Sequence, residues 1–167
     1  MRLHHRTIVA TLVLGGLWAL SAVAKEEKVT LDQVPGKVAK AEKAKWPKAE
    51  ILGIEREEED GKTMFEFGLK EGSRKWDASF STEGALIAVE ETIAANVVPA
   101  AVKKALDKRH PEANVLLIEK VTEGEGGSAK TFYEYKIKTV DGGLELKFDP
   151  DGKLLGEEVK KGDEINE

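Results

Sequence analysis

The chain has 167 residues, 41% hydrophobic and 34% charged, so it carries enough apolar side chain for a packed core and too much for a disordered tail. It contains no cysteine, which excludes disulfides, thiolate metal sites, cysteine nucleophiles and a lipidated N-terminal cysteine. There are 26 basic residues against 31 acidic ones, a net charge of −5, and Lys alternates with Glu along most of the chain. No cationic patch of the kind that binds nucleic acid or a membrane surface emerges from that pattern.

Met1 to Thr7 carries Arg2, His4, His5 and Arg6, and Ile8 to Leu20 is an uncharged, mostly apolar run. Ser21-Ala22-Val23-Ala24 follows, with small residues where a signal peptidase reads them. Residues 1–24 therefore read as a secretion signal cleaved after Ala24; the run is short for a permanent span of the ~30 Å hydrocarbon layer. Cleavage leaves 24 basic residues against 31 acidic ones, a net charge of −7. With no further apolar segment of membrane-spanning length, the mature chain is expected in the periplasm or outside the cell, with no membrane insertion.

The mature sequence repeats itself. Val34-Pro35, Val38, Lys40-Ala41, Pro47, Ala49, Leu52, Ile54 and Glu55 recur at one constant offset as Val98-Pro99, Val102, Lys104-Ala105, Pro111, Ala113, Leu116, Ile118 and Glu119. Further along, Lys62-Thr63, Glu66, Lys70, Phe80, Gly84, Leu86 and Glu90 recur at a slightly longer constant offset as Lys130-Thr131, Glu134, Lys138, Phe148, Gly152, Leu154 and Glu158. The added residues fall in the Gly-rich charged segment 120–129, which marks a hairpin loop.

Each copy opens as a short helix. Val34, Val38 and Ala41, and Val98, Val102, Ala105 and Leu106, form an apolar stripe among lysines, and Pro47 and Pro111 push Trp46 and His110 out of helical geometry. The period then changes to two. Leu52 with Ile54 supplies a first strand, Phe65, Phe67 and Leu69 a second, and Trp76, Ala78 and Phe80 a third; Thr82-Glu83-Gly84 turns into a fourth. Leu116, Ile118, Tyr133, Tyr135, Ile137, Leu144, Leu146 and Phe148 repeat that pattern, with Pro150-Asp151-Gly152 as the turn. The sequence thus predicts an α+β fold of two tandem units, each a helix and a four-stranded antiparallel sheet, with the helices packed on one sheet face. The expected divisions are 1–24 signal, 25–95 first unit, 96–160 second unit and 161–167 polar tail. A unit of roughly 65 residues buries only about 60% of its unfolded surface, so the two are expected to pack together over one apolar interior.

An aromatic or His followed by Pro-x-Ala, an apolar strand ending in Glu, a charged hairpin, a Phe/Tyr-Glu-Phe/Tyr strand and Phe-x-x-x-Gly-x-Leu, all occurring twice, resemble a PepSY-like domain. The nearer resemblance is to the beta-lactamase-inhibitor-like, PepSY-like group, over about Thr30 to Lys160. It implies a noncatalytic extracytoplasmic module that binds or inhibits another protein, without naming beta-lactamase as the target.

No residue set for catalysis, cofactor binding or metal binding emerges. His110, the mature chain's single histidine, stands where the first copy has Trp46, which fits a ring plugging a helix end, and no Gly-x-Ser-x-Gly elbow occurs. Asp149-Pro150-Asp151-Gly152 lacks the ligand order of an EF-hand and reads as a turn; Trp76 is replaced by Leu144 and reads as core. The run Glu55-Arg56-Glu57-Glu58-Glu59-Asp60 reads as a solvated strand end and hairpin tip, or as a cation site. Two functional readings follow. One is a protein-binding module using the sheet face away from the helices, with Glu66, Lys70, Asp77, Glu134, Lys138 and Glu145 as candidate partner-facing residues. The other is an envelope small-molecule or cation sensor with the acidic hairpins as its site.

Overall fold

The computed structural model describes residues 25–59, 61–140 and 142–160. The expected signal at 1–24 and polar tail at 161–167 lie outside them. The described chain forms nine strands and two α-helices: β1 (Lys25–Lys28), α1 (Gly36–Lys45), β2 (Glu50–Glu59), β3 (Lys62–Glu71), β4 (Arg74–Ser81), β5 (Leu86–Thr92), α2 (Ala100–Arg109), β6 (Asn114–Glu123), β7 (Lys130–Thr139), β8 (Gly142–Phe148) and β9 (Leu154–Lys160). All nine strands join one sheet in chain order, each antiparallel to the next.

Both helices are set by the same local chemistry. Pro35 and Pro99 precede the first helical residue with φ −54° each, and their carbonyls accept the first helical bonds, Val38 N to Pro35 O at 2.9 Å and Lys103 N to Pro99 O at 3.2 Å. A residue before proline is driven out of the helical region, so Val34 and Val98 are extended and lie ahead of the helices instead of inside them. They are nonetheless buried. Trp46 and His110 close the helices with ψ near 70°, their N–H groups donating to Glu42 and Leu106 carbonyls at 2.9 and 2.8 Å.

Two features differ from the sequence reading. The four charged residues of β1 show no apolar alternation, yet they pair with β2, where Glu27 faces Arg56 and their side chains approach to 3.6 Å. The apolar interior is also divided. Val34, Val38, Ile54, Phe65, Phe67, Leu69, Trp76, Ala78 and Phe80 form one core under α1, and Val98, Val102, Leu106, Ile118, Tyr135, Ile137, Leu146 and Phe148 form a second under α2. The two are built alike: Phe80 meets Phe67 edge-to-face at 5.8 Å and 86°, and Phe148 meets Tyr135 at 6.1 Å and 88°. Trp46 packs on Trp76 at 5.7 Å and on Phe80 at 6.1 Å, so both tryptophans belong to the first core.

The turn after the third long strand of each half sits on a helix. Gly84 and Gly152 both have φ +83°, and a Cβ would lie 2.8 Å from the Lys37 carbonyl oxygen at the first and 2.5 Å from that of Ala101 at the second. Only glycine combines that backbone angle with that close approach. Asp149 Oδ1 accepts from the Asp151 and Lys153 N–H groups at 3.0 and 2.8 Å, so Asp149-Pro150-Asp151-Gly152 is a turn whose carboxylate serves its own backbone.

Candidate functional site

Side chains alternate along a strand, so the residues between the core positions stand on the opposite face of the sheet. In register, Glu55, Glu66, Ser79, Ala88, Glu123 and Lys130 cross that face from β2 to β7. Beside them run Gly68, Asp77, Glu90, Val121 and Phe132. Next come Thr92, Glu119, Glu134, Lys147 and Gly156, then Lys136, Glu145 and Glu158. The face is strongly acidic.

The six residues expected on this face are distributed unevenly. Glu66 lies at the centre of the first half and is only 6% exposed, because its neighbours' side chains crowd it. Asp77 is half-buried beside it, while Lys70, also half-buried, lies four residues along β3 and faces Lys75. Glu134 occupies the place of Glu66 in the second half, Glu145 is half-buried between Lys136 and Glu158, and Lys138 is exposed opposite Gly143. The register therefore brings Glu66 and Asp77 into one group and Glu134 and Glu145 into another, with Lys70 and Lys138 towards the far ends of β3 and β7.

Further side chains complete the groups. Glu57 and Glu90 are buried around Glu66, Glu119 is buried beside Glu134, and Ser79 is 2% exposed directly across from Glu66. Glu66 Oε2 and Ser79 Oγ have no hydrogen-bond partner among the described residues. Burial pushes the Glu66 carboxyl well above the ordinary carboxylate range, and the charges of Asp77, Glu57, Glu90 and Glu55 push it the same way.

The second half treats its glutamate differently. Lys147 Nζ lies 2.9 Å from Glu123 Oε1 and 3.2 Å from Glu134 Oε1, and 4.4 Å from the centre of the Phe132 ring. Burial raises the Glu134 pKa while the Lys147 charge opposes the rise. Burial works against the Lys147 ammonium, yet its bonds and charges with Glu123 and Glu134 outweigh burial and hold its pKa above the usual lysine value. Lys147 is the counterpart of Ser79 at the same offset that relates Glu134 to Glu66. That offset was already visible in the sequence, and comparing the two copies position by position would have picked out the Ser79/Lys147 exchange.

Among the described residues, no group of three His, Asp or Glu side chains is arranged to hold a metal ion. Among the same residues, no helix is long and apolar enough to cross a membrane.

A family model described as "Putative beta-lactamase-inhibitor-like, PepSY-like" matches residues 15–88 and again 69–156. No curated protein matches the chain. Among solved structures, a protein from Bacteroides eggerthii described as a "putative periplasmic" protein is 17% identical with a TM-score of 0.62, over 80% of this chain and 93% of its own. A DUF2874 family protein from Bacteroides ovatus is 20% identical at TM-score 0.62, over 77% and 89%. A BLIP-like protein from Bacteroides fragilis is 19% identical at TM-score 0.59, over 75% and 86%. At these identities the likeness is one of fold.

Proposed function

This chain belongs to the beta-lactamase-inhibitor-like, PepSY-like family, and from that membership we propose that it is a noncatalytic module of the cell envelope, periplasmic or secreted, that binds another protein through the sheet face opposite its helices. The observation that carries the reading is the face itself, with ionisable side chains in register across the strands. The periplasmic description of the Bacteroides eggerthii protein and the signal-like residues 1–24 support the location.

The proposal includes a two-unit architecture with both helices on one face. Its support is the register. Ala78 of the first core pairs with Val89, Val89 with Thr122, and Thr122 shares its side of β6 with Ile118 of the second core.

Photo-cross-linking tests the reading. A photoreactive residue placed at Lys70 or Lys138 on the sheet face should cross-link a discrete envelope protein, whereas one at Lys40 or Lys104 on the helices should not. Equal labelling from both faces, or none from the sheet, would overturn it.

A further inference from the structure

The two halves of the sheet face carry a glutamate at the same position, Glu66 buried and Glu134 partly buried, but provide for it differently. In the second half, Glu134 has its cation built in: the Lys147 ammonium sits between Glu134 and Glu123 and over the Phe132 ring. In the first half the position of Lys147 is Ser79 and that of Phe132 is Met64, and Glu66 keeps the position of Glu134. The serine hydroxyl does not replace the ammonium, since Ser79 Oγ and Glu66 Oε2 both lack a hydrogen-bond partner among the described residues, in side chains more than nine-tenths buried. Every charge that shifts Glu66 is another carboxylate, those of Asp77, Glu57, Glu90 and Glu55. A buried acceptor with no donor is costly and is relieved by a donor from outside.

We propose that the first half of the face takes up a primary ammonium group, the side chain of a lysine on a partner protein, at the place where the second half holds its own Lys147. The inference rests on the protein-binding reading above and specifies its chemistry. An ammonium is favoured over a metal ion for two reasons. The chain itself solves the equivalent position with an ammonium, and no three acidic side chains among the described residues are arranged for a metal. Charge complementarity points the same way, since Asp77 and Glu55 border Glu66, half-buried, and line its approach with carboxylates. Ala88, beside Ser79, matches Gly156 beside Lys147, so small side chains flank the position in both halves.

The test uses n-butylammonium as the probe and the carbon-13 carboxyl resonance of Glu66 as the readout. In the unmodified protein the resonance should shift saturably with n-butylammonium, and not with 1-butanol or matched sodium chloride. Ser79→Lys should abolish the shift by supplying the ammonium internally. Glu66→Gln, which keeps the shape but leaves no carboxyl to ionise against the ammonium, should weaken butylammonium binding at least tenfold as read from the neighbouring carboxyls. In the cross-linking experiment, Ser79→Lys and prior acetylation of lysines in the envelope extract should each remove the product formed from Lys70. If butylammonium fails to bind while the cross-link persists, the ammonium inference is overturned and the protein-binding reading stands. If butylammonium binds but the cross-link survives both treatments, the partner's lysine is overturned. If no cross-link forms from the sheet face at all, the reading beneath the inference fails.

Discussion

The carboxylate of Glu66 shows how one buried acid governs stability. It binds its proton more tightly in the folded chain than in the unfolded one, where the ordinary glutamate value is 4.5. Above that value the native state therefore holds more protons than the unfolded state, and stability falls as pH rises through the raised folded pKa. The groups that face it, Glu55 and Glu57 from β2, Asp77 from β4 and Glu90 from β5, all act in the same direction. Glu66→Gln should flatten the decline of melting temperature as pH rises above 4.5 and leave the variant more stable than the parent at the upper end of the scan, where each ~1 kcal/mol corresponds to roughly 3 °C. Glu134 contributes a smaller slope of the same sign, because Lys147 opposes its shift, so some decline should remain. Thermal melts across that range decide the matter: an unaltered slope would mean that Glu66 is ionised and solvated in the native chain.

The turns between β4 and β5 and between β8 and β9 seat the helices on the sheet. Gly84 and Gly152 approach the carbonyls of Lys37 and Ala101, so alanine there meets both a disfavoured φ, worth about 1–2 kcal/mol, and a backbone atom that cannot easily move. Gly72 also has positive φ, +63°, but open space around it. Gly84→Ala and Gly152→Ala should each cost more than Gly72→Ala in chemical denaturation, by roughly 1 kcal/mol or more; equal costs would show that the helix seat adjusts freely. The repeat that places these turns was legible in the sequence because turn glycines, prolines and alternating aromatics each leave a local mark. β1 left none. Its pairing mirrors that of β5, since Lys28 faces Glu55 as Thr92 faces Glu119, and Val29 N donates to Ile54 O as Ile93 N does to Ile118 O, both at 3.0 Å. β5 thus ends one copy and begins the next, a dual role that hydrophobic period alone does not encode. The candidate face was legible as a face, through the alternation of Glu66 with Phe65 and Phe67. The burial of Glu66, Glu57 and Glu119 was not, because it arises from side chains of both flanking strands closing over each residue, which the alternation along a single strand does not encode.

At the scale of the molecule, one sheet carries two cores. The strand pair β5–β6 links them through five register pairs, Ala88 with Glu123 to Thr92 with Glu119, and the longer β6–β7 hairpin reaches back to α1 through the ion pair of Lys45 with Glu125. Backbone pairing and exposed charge thus bridge the halves, while the two clusters of core residues share no member. Phe80 and Phe148 share no core neighbour, so perturbing them should act independently. Phe80→Leu and Phe148→Leu should each destabilise by roughly 1–2 kcal/mol, and the double variant should lose the sum to within about 0.5 kcal/mol. Hydrogen exchange should place the first loss in β2 to β4 and the second in β7 to β9. A coupling well beyond that margin would mean that the halves share packing across β5 and β6, and that the sheet transmits strain between the buried glutamate of one half and the lysine-paired glutamate of the other.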